Sequence, residues 1–495
     1  MDSSSAHAPA RRPGADRPSP DSLADAFAAE LSRELGRDGL SAAEDAFVAQ
    51  MHEDCVGDEI EGVSPADLTA IAVDFWAFAG RRTGADPDVR LVDVTGAGGR
   101  ELNLQALQIV QADAPFLVDS VMGEVTEAGF AVKAMFHPVV ELDRDEAGQR
   151  RKGAVRRRES MIMALIEPVG PERADALVQG IMSALADVRV AVADFEAMRS
   201  LMRGAIAELD KTAPDAVRDE IPEDLDFLRW MTGDHFVFLG ARTYTYPRTP
   251  EGGYAQEEPV YDAAGSLGVL RDQSRSVLRR DSEPAMLAMA TRHYMDGTPL
   301  IVAKSNVRSR VHRRTYMDYI GIKRYGPDGR AFGEVRFVGL FTAAAYEQSV
   351  REVPLIRRKV ANVLARAGKA PGGHNEKRLK NILETYPRDE LFQMGEDELL
   401  RIALGVVHLY DRPRLRLFER RDPFDRFASV LLYLPRERYD SSLDRRAGAI
   451  LAQAWGGRVS ASYPSFSDSP LARAISASSA AMSGSGWSPG RKPMM

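Results

Sequence analysis

Cysteine is almost missing from this chain. Cys55 is the one thiol in 495 residues, which excludes an internal disulfide and points to a reducing, cytoplasmic setting. Long apolar runs are missing too. None approaches the roughly 20 residues needed to cross a bilayer, so no membrane partner is expected. There is no basic excess: the net charge is −7, without the positive footprint of a nucleic-acid binder, so no nucleic acid is expected. The first 21 residues are rich in Ala, Pro and Ser and lack the apolar core of a signal peptide; they read as a disordered arm.

A dinucleotide fingerprint is also lacking. Gly96-Ala-Gly-Gly-Arg has the wrong spacing and leads into a strand-like stretch, so it reads as a turn. The run from Gly368 to Gly373 lacks the Ser/Thr of a phosphate loop and reads as a linker. No NAD site is visible. His52, Asp54 and Cys55 lack partners at metal-ligand spacing, so no metal is expected. His137, before a proline, reads as a packed or edge histidine, and His235 pairs with no nucleophile that the pattern places. No catalytic residue is assigned.

What is present is the grammar of an α+β protein with 44% hydrophobic and 28% charged residues, enough length for roughly three domains. Between Leu107 and Phe195 the pattern reads strand, helix, strand, strand, helix, strand, the order of a split βαβ sandwich. Asp113 is placed to cap the first helix, with Pro115 in its first turn. Leu117, Val121 and Val125 share one helix face, and Gly129 closes it. Strands are expected over 131–142 and 161–166, joined by a polar loop over 143–159. Pro171 opens a second helix with Leu177, Val178, Ile181 and Leu185 inward, and Val188 to Val192 reads as the closing strand.

The domain reading is a disordered arm (1–21), a helical region (22–100) and the split βαβ domain (101–200). A helical connector (201–234), a β-rich middle domain (235–350) and a helical segment (351–411) follow. The last parts are a truncated second split βαβ module (412–473) and a disordered tail (474–495). In the truncated module Val430, Leu432 and Trp455 are expected to lack part of their sandwich.

The densest charge lies between Lys304 and Arg314. Lys304, Arg308, Arg310, His312 and Arg314 read either as an anion site or as a solvated strand edge, with Val307, Ser309, Val311 and Arg313 on the opposite face. Arg412 to Arg426 is equally dense, but interleaved acids make it a salt-linked surface.

Several phrases carry a resemblance. They include Asp113-Ala-Pro-Phe-Leu-Val-Asp-Ser-Val, Phe136-His-Pro, Phe236-Val-Phe-Leu-Gly and Lys304-Ser-Asn-Val-Arg-Ser-Arg-Val-His-Arg-Arg. Gly333-Glu-Val-Arg-Phe-Val-Gly-Leu-Phe, Tyr386-Pro-Arg-Asp-Glu-Leu-Phe-Gln and Tyr433-Leu-Pro-Arg-Glu-Arg-Tyr follow in the same order. Together the chain resembles the N-terminal region of the large bacterial NAD-specific glutamate dehydrogenases.

The resemblance implies ACT-like regulatory modules, NAD as the family's cofactor, and oxidative deamination of L-glutamate to 2-oxoglutarate and ammonia in a distant part of the protein. It implies partnership with that missing catalytic region or with a second subunit, and a broken reading frame near residue 473. It also implies binding of an amino acid or another small anionic effector at the turn after the first ACT strand. There Asp113, Phe116, Asp119 and Ser120 are the candidate residues. The alternatives are that Asp113 is only an N-cap and Asp119 a solvated helix residue.

Overall fold

The computed structural model describes residues 20–480, apart from 37–38, 56–59, 61, 83, 152, 250–252, 256–258, 276–294, 371, 422–426, 456 and 467–470. The chain forms two compact units. The first comprises residues up to Asp194 together with Ser309–Thr315, and the second comprises Phe195–Arg308 and the chain from Tyr316.

In the first unit three helices precede the sheet: α1 (Pro20–Leu35), α2 (Ala42–Cys55) and α3 (Pro65–Phe78). α3 starts where Ser64 and Asp67 form a reciprocal capping box, with Pro65 in the first turn, where its missing N–H is harmless. Phe27, Leu31, Phe47, Met51, Ile71, Phe75 and Trp76 bury the helices against one face of the sheet, meeting Ala106, Val110, Phe136, Val140, Met161 and Leu165. Alternation sends Leu107, Ile109, Ile162 and Ile166 to the other face.

The sheet is built from β1 (Asp88–Thr95), β2 (Glu101–Ala112), β3 (Val132–Phe136), β4 (Val139–Arg144) and β5 (Val155–Ile166). Its order is β1-β2-β5-β3 with β4 also on β5, all antiparallel. α4 (Leu117–Glu127) and α5 (Pro171–Ala193) pack together. Gly129, at φ 78°, ends α4 in the left-handed conformation, so the chain leaves through Phe130 N–H to Val125 O.

Three readings of this module need correction. Val188–Val192 is not a strand but the end of α5, because Leu177, Ile181, Leu185 and Val188 continue one buried helical face. The sheet takes its remaining edge strand from β1, ahead of β2, within the stretch read as helical. The loop over 143–159 is shorter than expected, since β5 already starts at Val155 and pairs Arg156–Arg158 with β4.

One ion-pair cluster ties the sheet to the helices. Glu159 is fully buried and accepts from Arg144 Nε and Nη2, each at 2.7 Å, and from Arg82 Nη1 at 3.0 Å. Arg144 spends its other donors on the carbonyls of Ala79 and Gly148, each at 2.9 Å. Among the described residues one helix, α5, is long and apolar enough by composition to cross a membrane, with mean hydropathy 1.5. One of its faces, with Leu177, Ile181, Leu185 and Val188, is buried.

The second unit opens with α6 (Phe195–Thr212) and α7 (Ile221–Trp230). A sheet follows: β6 (Phe236–Thr245), β7 (Val260–Tyr261), β8 (Leu267–Gly268), β9 (Leu300–Arg308), β10 (Tyr316–Tyr325) and β11 (Ala331–Phe341). Its order is β7-β6-β11-β10-β9, with β8 also on β6. Helices α8 (Ala343–Glu347), α9 (Ile356–Arg366), α10 (His374–Glu384), α11 (Arg388–Gln393) and α12 (Glu396–Asp411) come next. Val360, Leu383, Leu399 and Val406 share one core with Phe337, Phe341 and Phe392.

The last sheet has four strands, β12 (Arg416–Arg421), β13 (Phe427–Pro435), β14 (Gly457–Phe466) and β15 (Leu471–Ala480), with α13 (Ser441–Ala454). Its order is β12-β13-β15-β14. This corrects the tail: residues 474–480 are a central strand, paired on both sides, and 481–495 lie outside the described residues. Ladder hydrogen bonds on both sides place β15, whose Leu471, Ala472 and Ala474 are buried. Val430 and Leu432 are buried rather than bare. The exposed apolar side chains are instead Leu415, Leu417, Ile450 and Phe466. β12, read as a salt-linked surface, sends Arg420 inward onto Glu390, at 2.5 and 2.9 Å.

Candidate functional site

The turn leading into α4 gathers the first unit's unusual geometry. Ala112 ends β2, and the chain turns over four residues before α4 begins at Leu117. Asp113 therefore does not cap the helix, a further correction to the sequence reading. Its amide donates to Arg158 O at 3.1 Å and its carboxylate pairs with Arg158 Nε at 2.8 Å. The N-cap position falls to Phe116, at φ 69°. Its carbonyl accepts from the Ser120 amide at 3.1 Å and from Ser120 Oγ at 2.6 Å.

The loop Ser309–Thr315 lies on this helix start, within the same unit. The His312 amide donates to Ser120 Oγ at 3.0 Å, and His312 Nδ1 lies 2.7 Å from Asp119 Oδ2. The His312 ring sits against Phe116, centroids 5.2 Å apart. One turn further along, Arg314 pairs with Glu124 and, at 3.0 Å, with Glu127, while Arg310 Nε lies 4.0 Å from Glu124. Burial pushes the Glu124 carboxyl upward, and Arg314 and Arg310 pull it back.

Two groups singled out in the sequence, Phe116/Asp119/Ser120 and Arg310/His312/Arg314, thus come together, almost 200 positions apart. Asp113, Lys304 and Arg308 do not join them. In the second unit Lys304 Nζ pairs with Asp318 at 2.6 Å and Asp389 at 3.2 Å. Burial opposes its charge, but the two acids outweigh burial and hold the ammonium protonated far above the usual range. Arg308 lies over the Tyr316 ring at 5.9 Å. The cations read as one stripe on a strand face are thus divided: β9 ends at Arg308, and His312 adopts φ 63° in a loop where Ser309 and Val311 are buried. Sequence reasoning missed Glu124 and Glu127. Their signal was two acids three apart beside the apolar face of Leu117, Val121 and Val125.

The remaining polar candidates find local partners. Gly96 N–H donates to Arg100 O at 2.7 Å, closing the hairpin between antiparallel β1 and β2, so this glycine run is a strand-to-strand turn. His137 Nε2 lies 2.8 Å from the buried Ser160 Oγ, and burial lowers its pKa. His52 meets Asp25 at 3.1 Å, and the His235 ring stacks on Trp230, centroids 4.4 Å apart. Among the described residues no group of three or more His, Cys, Asp or Glu is placed to hold a metal ion.

Three family models match the chain, all from glutamate dehydrogenase: the ACT1 domain over residues 47–181, helical motif 1 over 353–412 and the ACT2 domain over 416–479. The turn and α4 fall inside the ACT1 match. The ACT2 match runs through most of β15. The NAD-specific glutamate dehydrogenase of Halomonas elongata is 35% identical over 82% of this chain and 26% of its own length. That of Pseudomonas aeruginosa is 32% identical over 84% of this chain and 26% of its own length. That of Mycobacterium tuberculosis is 28% identical over 74% and 22%. The chain spans about a quarter of the length of these curated relatives. By these matches and by its two ACT-type sheets, the chain belongs to the NAD-specific glutamate dehydrogenase family.

Proposed function

We propose that this chain is a regulatory and assembly region serving an NAD-specific glutamate dehydrogenase. The family reaction converts L-glutamate, NAD⁺ and water to 2-oxoglutarate, ammonium and NADH. In this reading the residues that bind NAD and move the hydride lie outside the 495 residues, and the chain works by associating with that catalytic region or with a second subunit. The observation that carries it is the identity of the matched segments: two ACT domains, over 47–181 and 416–479, and a helical motif over 353–412. ACT modules bind and transmit more often than they catalyse. The hairpin role of the Gly96 run supports the same reading, since a dinucleotide site needs a strand-to-helix turn.

A spectrophotometric assay of NADH formation by the purified chain, with glutamate and NAD⁺, tests this. The expected rate equals that of a heat-killed control; turnover above it overturns the reading. The effector role proposed for Phe116, Asp119 and Ser120 is supported by a polar helix start beside an aromatic ring, which suits a small amino acid or another carboxylate. Thermal-shift titration with a panel of amino acids and 2-oxo acids checks that role. A midpoint that moves with none of them removes it.

A further inference from the structure

Three features of the first unit meet at one place. The first is strain. Phe116 and His312 both have positive φ, 69° and 63°, and their rings touch. Each such backbone is strained and persists only where its surroundings over-determine it. The second is glycine. Gly123 and Gly180 sit inside α4 and α5, where glycine is a poorer helix former than alanine. A Cβ on Gly123 would lie 3.0 Å from Arg314 Cγ, and one on Gly180 would lie 3.0 Å from Glu124 Oε2. The two bare backbones therefore form the seat in which the Glu124–Arg314 pair rests. The third is preorganisation. Ser309 Oγ accepts from the Val311 amide at 3.0 Å and donates to Val311 O at 2.7 Å, and the Ser309 amide donates to Thr315 O at 2.8 Å. These bonds within the loop favour the shape that docks, which lowers the entropy lost on docking.

We propose that Ser309–Thr315 is a built-in strap of the first ACT module. Arg314 anchors it in the Gly123–Gly180 seat, and His312 occupies the first turn of α4. A small molecule approaching Phe116–Ser120 must displace His312 before it reaches the buried Ser120 hydroxyl. The strap is an autoinhibitory contact at the effector turn, released when its charge pairs are broken. Its presence does not depend on the dehydrogenase reading, because the test contains no turnover.

The test uses the full chain. Trypsin reads the strap at Arg310, Arg313 and Arg314, and hydrogen exchange reads 309–315 alongside β2 and β5 as internal controls. In Glu124→Gln and in Gly180→Val, cleavage and exchange in the strap rise by about tenfold or more, the size expected for loss of a charge-assisted contact, while β2 and β5 keep their protection. Equal protection of the strap in wild type and both variants overturns the proposal. Should Gly180→Val unfold the module, a salt titration of the wild type decides. Raising NaCl from about 0.05 to about 1 M weakens the pairs. Exchange at 309–315 then rises relative to β5; an unchanged ratio overturns the strap.

Discussion

Glu159 shows how much one side chain carries here. It balances two buried guanidiniums, and Arg144 in turn satisfies backbone carbonyls of the helical region. Glu159→Ala leaves both arginines buried without their carboxylate, so it costs about 3–5 kcal/mol, whereas a surface pair costs less than about 1. Urea unfolding followed by circular dichroism measures this, and a loss below about 1 kcal/mol contradicts it.

Asp224, on α7, is the opposite case. It is buried and its Oδ2 has no hydrogen-bond partner among the described residues. Burial raises its pKa to about 7, with Glu220 and Glu223 adding to the rise and Arg358 opposing it. The folded state therefore holds this proton more tightly than the unfolded state. The resulting stabilisation is full below the ordinary carboxyl value of 3.8 and is lost as pH rises towards about 7. Asp224→Asn does not titrate, so the variant gains on wild type across that window, by about 2–4 kcal/mol at pH 8. Unfolding midpoints at pH 4 and pH 8 that differ equally in both proteins contradict the assignment. Ser64 and Gly129 were legible because a cap and a left-handed stop are local chemistry. Asp113 was not, because Arg158, which claims its carboxylate, lies 45 positions away.

Elements were legible wherever one face had to be buried. α3, α4, the start of α5 and the helices over 356–411 show apolar spacing near 3.6, and the structure forms helices there. Val188–Val192 satisfies both periods at once, alternating as Val-Arg-Val-Ala-Val while continuing the face of Leu177, Ile181 and Leu185. The tie was broken by β1, which already fills the edge beside β2. β15 had neither period. Its residues pair with Phe427–Pro435 on one side and Gly457–Phe466 on the other, and its Leu471, Ala472 and Ala474 are buried. Hydrogen exchange should therefore show the amides of 471–480 protected to within about tenfold of those in β13, since both are central strands. Exchange of 474–480 at the unstructured-chain rate contradicts this placement.

Among the described residues, four of the six exposed large hydrophobics lie in or next to the last sheet and its helix: Leu415, Leu417, Ile450 and Phe466. Register places Leu417 beside Leu432 and Ala474 on the face that α13 partly covers, and β12 is an edge strand. Exposed apolar groups beside an open edge favour association. The double substitution Leu415→Ser/Leu417→Ser is expected to reduce concentration-dependent light scattering and to change stability by less than about 0.5 kcal/mol, as exposed positions do. Scattering that stays the same would assign association to another surface.

By itself the sequence determined the α+β class, the ACT-like modules and their family, because capping, periodicity and ordered phrases are properties of neighbouring residues. Only the tertiary structure decided which strand closes the first sheet, that a Ser/Ala run completes the second, and that His312 and Arg314 lie on α4. Those outcomes depend on ladder pairing, on charge partners and on space left by glycines, all supplied by residues far away along the chain.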